Sequence, residues 1–148
     1  SDYSKLLLDI KYAAKKISAN VIMCQSRRTP ENILYLAEQI FSNFTSHFYI
    51  SKKDEPNIYP SIIKICDYIV VTNDSVNMIS ETASTNKNLF LGFLNKEKSK
   101  LKSFHEKLLK YNSIKIFKNS FYNFKKMPLD NQKKLNKDFK LILNKLSK

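Results

Sequence analysis

The stretch DYIVVTNDSVNMISE, residues 67–81, joins a continuous run of β-branched and aromatic side chains to a polar segment that can open a helix. The run Tyr68–Thr72 predicts a buried β-strand, because a strand covered on both faces is apolar along its whole length. Asn73, Asp74 and Ser75 follow it directly and can cap a helix that continues to about residue 85. A strand that passes through a polar loop into a helix is the repeating unit of parallel α/β sheets.

The rest of the chain repeats this alternation of apolar runs and helical patterns. Further strands are predicted at residues 21–24, 48–50, 89–93 and 114–117, the last as an edge strand, and helices at about residues 3–16, 30–41, 59–65, 104–109 and after Pro128. Thr29 is predicted to cap the second helix, with Pro30 as its first residue. The pattern predicts an α/β fold, a Rossmann-like parallel sheet of about five strands with helices on both faces. The chain has neither an internal repeat nor a low-complexity linker, so residues 1–148 are expected to form one domain.

Arg27 and Arg28 are the only arginines in a chain whose other basic residues are all lysine. The rigid guanidinium fork binds phosphate or carboxylate in a bidentate way that lysine cannot reproduce. The pair follows the strand predicted at residues 21–24 and precedes a helix, and helix N-termini attract anions. The alternative is an ordinary surface loop. We predict that Ser26, Arg27, Arg28 and Thr29 bind an anion, in particular a nucleoside diphosphate.

The polar segment after residue 72 is the second predicted site. Asp74, Asn77, Met78 and Glu81 are spaced i, i+3, i+4 and i+7, which places them on one helix face. Backbone N–H groups in the first turn of a helix are unpaired and can bind phosphate, and a carboxylate two turns further on can accept hydrogen bonds from ribose hydroxyls. The predicted phosphate-binding residues are Asp74, Ser75, Val76, Asn77 and Met78, and the predicted ribose-binding residue is Glu81. The alternative is a plain capping motif with an exposed glutamate.

The composition excludes several other functions. The single glycine, Gly92, rules out the Gly-rich dinucleotide and P-loop motifs, so no cofactor is expected. Cys24 and Cys66 lack the CxxC spacing of zinc sites, so no metal is expected. Both look like core thiols of a reducing compartment, which indicates a cytoplasmic location. No apolar run approaches the roughly 20 residues of a membrane helix, so membrane insertion is not expected.

The net charge of +13 suggests a nucleic-acid partner, because clustered basic residues release counterions from a phosphate backbone. The lysines are dispersed, however, and are most frequent in the last third, among Asn and Ile, as in proteins of AT-biased bacterial genomes. We therefore interpret them as solvated helix faces and expect no nucleic-acid partner. Non-specific nucleic-acid binding is kept as the third alternative.

These segments together resemble the Elm-type mitochondrial-fission protein family, whose bacterial members are often labelled nucleoside-diphosphate-sugar epimerases. The epimerase label carries little weight, because that chemistry needs a bound nicotinamide cofactor. The resemblance covers nearly the whole chain in order, and it is carried by the motifs at residues 26–30, 57–59, 67–81, 104–105 and 128–130.

The resemblance implies a GT-B glycosyltransferase-like architecture, in which two Rossmann-like domains face each other across a cleft. The chain is then expected to be the C-terminal, donor-binding half of a larger two-domain protein, with the N-terminal domain as a partner and no activity alone. In GT-B enzymes a glutamate at the place that Glu81 matches commonly binds the donor ribose. One departure lies at residues 85–88, which read Thr-Asn-Lys-Asn where relatives have Thr-Gly-Lys-Pro.

Two main functions follow. In the first, the chain binds a nucleoside-diphosphate sugar: Arg27 and Arg28 neutralise the diphosphate, N–H groups near Asp74 bind phosphate oxygens, and Glu81 orients the ribose. In the second, the chain is a non-catalytic adaptor on the same scaffold, as the resemblance to plant relatives that recruit a dynamin-like GTPase implies. The sequence does not name the base, the sugar or the acceptor, and it leaves homo-oligomerisation open.

Overall fold

Helices and strands alternate along the computed structural model, which describes residues 2–25, 29–51, 58–72, 87–92, 94, 106 and 114–124. In chain order they are α1 (Asp2–Lys16), β1 (Val21–Met23), α2 (Glu31–Ile40), β2 (Phe48–Ile50), α3 (Ile58–Ile65), β3 (Tyr68–Thr72), β4 (Asn88–Gly92) and β5 (Lys115–Ile116). The chain divides into two compact units. The first unit comprises residues 1–65 and 118–121, and the second comprises residues 66–117 and 122–148.

Helix α1 forms because its apolar residues recur at helical spacing and give it one buried face. That face is formed by Leu6, Leu7, Ala13 and Ala14. The opposite face is exposed to solvent and carries Lys5, Leu8, Tyr12, Lys15 and Lys16. The ammonium group of Lys16 lies 4.4 Å from the centre of the Tyr12 ring, a cation–π contact along this exposed face.

Helix α1 ends at a left-handed residue that is not glycine. Ser18 has φ of 53°. The Ala19 N–H donates to the Ala14 carbonyl (2.9 Å), and the Ser18 N–H donates to the Lys15 carbonyl (3.2 Å). These two bonds are the pair that defines a Schellman motif, in which the left-handed position is usually glycine. Ser18 therefore carries a conformational cost that the two hydrogen bonds offset.

The core of the first unit lies where α1 and α2 pack against the first two strands. Leu7 of α1 packs with Ala37 of α2 and with Phe41, the residue that follows α2, and all three are buried. The Phe41 ring stacks on the Phe48 ring at 4.1 Å between centres. Partly buried apolar residues complete this cluster: Ile10, Val21, Met23, Leu36, Ile40, Phe44, Phe48 and Ile50.

Strands β1 and β2 pair in parallel, with Ile22 opposite Tyr49 at the centre of the register. Side chains alternate between the two faces of a strand. The flanking residues of both strands point into the core described above, whereas Ile22 and Tyr49 are 42% and 44% exposed. Helix α2 is the crossover that returns the chain to the start of β2, as parallel pairing requires.

The second unit is built on β4, which lies between β3 and β5 in a parallel three-stranded sheet. Leu89, Phe90 and Leu91 at the centre of β4 have no solvent exposure. The Phe117 N–H extends the β4–β5 ladder by donating to the Leu91 carbonyl at 2.8 Å. A central strand that is apolar on both faces is what a covered parallel sheet requires.

The Phe90 ring is the centre of an aromatic cluster in the second unit. Among the described residues it contacts four other rings, with centres 5.2–6.2 Å away: Tyr68, Phe117, Tyr122 and Phe124. The Asn88 side chain accepts a hydrogen bond from the Phe124 N–H (3.0 Å) and donates one to Asn123 (3.1 Å). These bonds hold the segment after β5 against the start of β4.

The prediction of an α/β fold with parallel strands is confirmed. All five predicted strands are present, and β5 lies, as predicted, at an edge of the sheet that the described residues form. In the described residues they form sheets of two and three strands, so one continuous five-stranded sheet is not confirmed. The helices predicted near residue 75, near residue 104 and after Pro128 lie outside the described residues, apart from Glu106, which is helical.

The predicted start of α2 is wrong by one residue. Pro30 has φ of −65° and ψ of 143°, which is extended backbone, so it is the N-cap and the helix begins at Glu31. The Ile33 N–H donates to the Pro30 carbonyl (3.0 Å), and Pro30 itself makes no side-chain capping hydrogen bond. Thr29 is therefore not the cap that the sequence pattern indicated, because it lies one position too early.

Candidate functional site

The carboxyl end of β1 leads through a short connection into α2. Met23 is the last residue of β1, and Cys24 and Gln25 continue the chain beyond it. Thr29 is half-buried and directly precedes the Pro30 N-cap of α2. The connection therefore runs from the carboxyl end of a parallel strand to a helix N-terminus, the arrangement in which α/β proteins bind ligands.

A clasp between Gln25 and Ser51 joins the carboxyl ends of β1 and β2. The Ser51 N–H donates to the Met23 carbonyl at 2.9 Å and so extends the ladder by one bond. The Gln25 N–H donates to the Ser51 hydroxyl oxygen at 3.1 Å, and the Gln25 side-chain Nε2 donates to the Ser51 carbonyl. Ser51 is only 2% exposed, which makes it the buried polar residue of the described part of the chain. The two strand ends are thus held together by both backbone and side-chain hydrogen bonds.

The other half of the Gln25 carboxamide has no partner among the described residues. Its Oε1 atom is buried and accepts no hydrogen bond there. Buried polar atoms in folded proteins are nearly always paired, so an unpaired acceptor beside a strand end indicates a place where a donor group belongs.

The N-terminus of α2 has a mixed electrostatic character. Its first-turn N–H groups carry the positive end of the helix dipole, which favours anions. Glu31 is exposed and occupies the first turn, where its carboxylate already interacts favourably with that dipole. An anion bound at this N-terminus is therefore repelled by Glu31, and nearby positive charge would offset that repulsion.

The carboxyl end of β3 is the second place where the sequence predicts a site. Thr72, the last residue of β3, pairs with Gly92 of β4 in parallel register. The chain between Thr72 and Asn88 must therefore cross from one end of the sheet to the other, a connection that usually contains a helix. Residues 74–81 belong to this crossover and follow the carboxyl end of the strand.

Most predicted site residues lie outside the described part of the chain. Thr29 is described; the others are Ser26, Arg27, Arg28, Asp74, Ser75, Val76, Asn77, Met78 and Glu81. Their roles stay predictions. Gln25 and Ser51 are the polar residues at the β1 end that the sequence pattern missed. A sequence signal for them existed: Gln25 directly follows the apolar run at residues 21–24, and Ser51 directly follows the apolar run at residues 48–50.

Cys66, between α3 and β3, has a perturbed thiol. Burial raises the pKa of the Cys66 thiol, the charge of Lys87 lowers it by a smaller amount, and the charge of Asp67 raises it. Neither Cys24 nor Cys66 is in a disulfide. A thiol whose pKa is raised is a weak nucleophile at neutral pH. Both cysteines are half-buried, so the expectation that they are core residues is not confirmed.

Within the described ranges, no three or more His, Cys, Asp or Glu side chains come together in a way that could hold a metal ion. None of the helices described above is both long and apolar enough to cross a membrane.

Residues 1–138 match the protein-family model described as Mitochondrial fission ELM1. The chain belongs to this family. No curated protein and no solved structure matches the chain. The match covers the β1–α2 connection, the clasp and all of the predicted site residues, so these features are part of the ELM1-family region. The Elm-type resemblance is thereby confirmed, and the GT-B and epimerase interpretations stay unconfirmed.

Proposed function

We propose that this ELM1-family chain binds the diphosphate group of a nucleoside-diphosphate sugar through Ser26, Arg27, Arg28 and Thr29. The observation that carries the proposal is the placement of the connection: it follows the carboxyl end of β1, in a parallel pair, and leads into the N-terminus of α2. Two guanidinium forks there supply the positive charge that offsets Glu31. Ordinary surface lysines do not have this geometry.

The segment after β3 supplies the second half of the proposed function. N–H groups at residues 74–78 bind phosphate oxygens, and Glu81 accepts hydrogen bonds from the ribose hydroxyls. Support comes from the parallel register of β3 and β4, which makes residues 73–87 a crossover that leaves from the carboxyl end of β3.

In a glycosyl transfer, the bound diphosphate is the leaving group. Fixed positive charge and N–H donors stabilise the negative charge that develops on it in the transition state. The acceptor site and the catalytic base would come from the N-terminal domain that the GT-B resemblance implies. The function proposed for this chain itself is therefore donor binding.

Calorimetric titration of the protein with UDP, GDP, ADP and their sugars tests the proposal. Arg28→Lys keeps the charge but loses the fork, and it is expected to weaken diphosphate binding by about 1.5–3 kcal/mol, the range for hydrogen bonds to charged groups. If none of these nucleotides binds more tightly than millimolar, the proposal is wrong.

A matched control separates specific binding from general charge attraction. Lys15 and Lys16 form a second adjacent basic pair, exposed at the end of α1. Replacing this pair by glutamine removes the same charge as replacing Arg27 and Arg28 by glutamine. Equal loss of affinity in the two double variants would indicate non-specific electrostatic binding, with a steep dependence on salt.

Glu81→Gln addresses the ribose-binding role. The substitution is expected to weaken UDP binding while leaving pyrophosphate binding unchanged, because pyrophosphate has no ribose. An equal effect on both ligands would assign Glu81 a role in the fold of its segment.

An adaptor function is the second candidate, favoured by the family match. Exposed apolar side chains on the first unit, such as Leu8 and Tyr12 on α1 and Ile22 and Tyr49 on the sheet, are the surface on which such a role would depend. The adaptor function predicts that nucleotides do not raise the melting temperature. It also predicts that Leu8→Lys with Tyr12→Lys abolishes partner capture and leaves nucleotide titrations unchanged.

A further inference from the structure

Helix α1 presents a straight line of four exposed side chains, which we call the α1 seam: Lys5, Leu8, Tyr12 and Lys15. Their spacing is i, i+3, i+7 and i+10, which keeps side chains in one line along a helix and is the spacing that brings one helix against another. Leu8 and Tyr12, at the centre of the seam, are each 53% exposed. The seam is about 15 Å long, since a helix rises about 1.5 Å per residue.

Positive charge lies at both ends of the α1 seam. Lys5 and Lys15 flank the apolar pair, and the ammonium group of Lys16, 4.4 Å from the centre of the Tyr12 ring, adds a third positive charge beside it. Asp9 is half-buried next to the seam, so the exposed charge is mainly positive. A complementary partner has apolar side chains at the centre of its contact surface and carboxylates at both ends.

The remainder of α1 makes a lipid surface a poor partner. Helices that lie on membranes insert a wide apolar face among the lipid headgroups. The wide apolar face of α1, which contains Leu7, Ala13 and Ala14, is buried within the protein. Only a narrow line with two apolar side chains is left exposed on the seam, and such a line matches the contact between two helices.

A second copy of the chain is also a poor partner for the α1 seam. Because the seam has a lysine at each end, two seams bring lysine against lysine whether the helices run parallel or antiparallel. Each copy also carries a net charge of +13, so two copies repel each other. The same charge attracts an acidic protein.

We infer that the α1 seam binds an amphipathic helix of another protein, whose apolar line lies over Leu8 and Tyr12 and whose carboxylates pair with Lys5 and Lys15. In this mode of binding the apolar side chains supply affinity and the flanking charges select the partner. The inference rests on the adaptor function proposed above, for which it specifies the chemistry of the partner, and it is independent of diphosphate binding.

Fluorescence anisotropy with two labelled synthetic helices of about three heptads each tests the inference. The acidic peptide has leucines at the centre of its seam and glutamates at both ends, and the neutral peptide has glutamine in place of each glutamate. We expect the protein to bind the acidic peptide about fivefold more tightly, the combined effect of two exposed ion pairs. Lys5→Gln with Lys15→Gln should remove this preference. Lys64→Gln with Lys118→Gln, at exposed positions outside α1, removes the same charge and should retain it.

The apolar part of the α1 seam has its own variant. Leu8→Ala with Tyr12→Ala is expected to weaken binding of both peptides by about tenfold or more, because the buried apolar contact is lost. Alanine favours the helix and both positions are exposed, so this variant is expected to fold, which circular dichroism checks. Tyr35→Ala, at an exposed position on α2, is the matched control and should change neither affinity.

Four results would overturn the inference. The first is that wild-type protein binds neither peptide, and the second is a preference for the acidic peptide that survives both α1 variants. The third is equal affinity for the two peptides; if Leu8→Ala with Tyr12→Ala still weakens both, the adaptor function stands and only the acidic chemistry is wrong. The fourth is binding to phosphatidylserine vesicles or to single-stranded RNA, or self-association in sedimentation, that this variant abolishes, because the seam then has a different occupant. Pyrophosphate titration of the same variants reports diphosphate binding separately, so the two proposals can fail independently.

Discussion

The Lys11 ammonium group of α1 caps the end of α2. It donates to the Ile40 carbonyl at 2.8 Å and to the Asn43 side-chain oxygen at 2.7 Å. The last carbonyls of a helix have no partner within the helix and carry the negative end of its dipole, so a cation there is favourable. The Lys11 side chain thus ties α1 to α2 at the edge of their apolar contact.

Lys11→Met is expected to lower the free energy of unfolding by about 1 kcal/mol, because it keeps the aliphatic stem and removes both hydrogen bonds. Chemical denaturation monitored by circular dichroism measures this change. Lys5→Met, an exposed change on the same helix, is the control and is expected to stay within about 0.5 kcal/mol. Equal effects of the two substitutions would show that the cap contributes nothing.

Ser18→Gly is expected to stabilise the protein by about 0.5–1 kcal/mol. Glycine adopts the left-handed conformation of the Schellman position without steric cost, which outweighs the extra freedom it gives the unfolded chain. Ser42→Gly is the control, since Ser42 is also an exposed serine that follows a helix. Ser42 does not have a positive φ, whereas Ser18 does. Thermal melting of both variants decides the point: Ser42→Gly should lower the melting temperature, and a fall for Ser18→Gly as well would contradict the prediction.

Glu31→Gln is expected to have opposite effects on anion binding and on stability. Removing a carboxylate from the first turn of α2 takes away repulsion against a bound diphosphate, so pyrophosphate affinity should rise by about 0.3–1 kcal/mol. The same change removes a favourable interaction with the dipole, so the free energy of unfolding should fall by a similar amount.

The control for this prediction lies on the same helix. Glu38 is exposed and is two turns from the N-terminus of α2, so Glu38→Gln should leave pyrophosphate affinity unchanged. An equal rise in affinity for both variants would place the anion away from the N-terminus of α2.

Cys66 is expected to react slowly with thiol reagents until the pH is well into the alkaline range. Its pKa is raised in the folded state, so the folded protein binds the thiol proton more tightly than the unfolded chain. Stability from this group is fully present below the ordinary thiol pKa and is lost as pH rises through the raised value. The pH dependence of reaction with a disulfide reagent, measured in a Cys24→Ser background, gives the midpoint.

Lys87 sharpens the test of Cys66. Its charge lowers the thiol pKa, so Lys87→Gln should move the reaction midpoint to still higher pH. Lys115→Gln, which removes a lysine of β5 that is not among the causes of the shift, should leave the midpoint in place. A downward movement with Lys87→Gln would show that the lysine does not act through its charge.

The sequence predicted the strands well because their signal is local. Tyr68–Thr72 and Phe48–Ile50 are bounded as expected, since each is a short β-branched or aromatic run between polar residues. The left-handed end of α1 was not predictable, because the usual signal is glycine and the residue is Ser18. The start of α2 was misplaced for a similar reason: Pro30 suits both the first helical position and an extended cap.

The other features that the sequence did not predict depend on pairing between distant parts of the chain. Gln25 and Ser51 lie far apart in the sequence, and their clasp depends on the parallel register of β1 and β2, which the sequence pattern does not encode. The division of the strands into a two-stranded and a three-stranded sheet likewise depends on which strands pair with each other. In the candidate site, the strand-to-helix placement around residues 26–28 could be predicted, whereas the unpaired oxygen beside it could not.

The aromatic cluster around Phe90 has a consequence for how the protein is made. Among the described residues, the buried cluster of the first unit contains nothing beyond Ile50, whereas two of the rings that contact Phe90 are those of Tyr122 and Phe124, much later in the chain. A nascent chain therefore passes through a stage in which the deeply buried strand β4 exists without these two rings, and such stages are prone to misassembly. Chains stalled before Tyr122 are expected to bind more hydrophobic dye than chains that extend past Phe124.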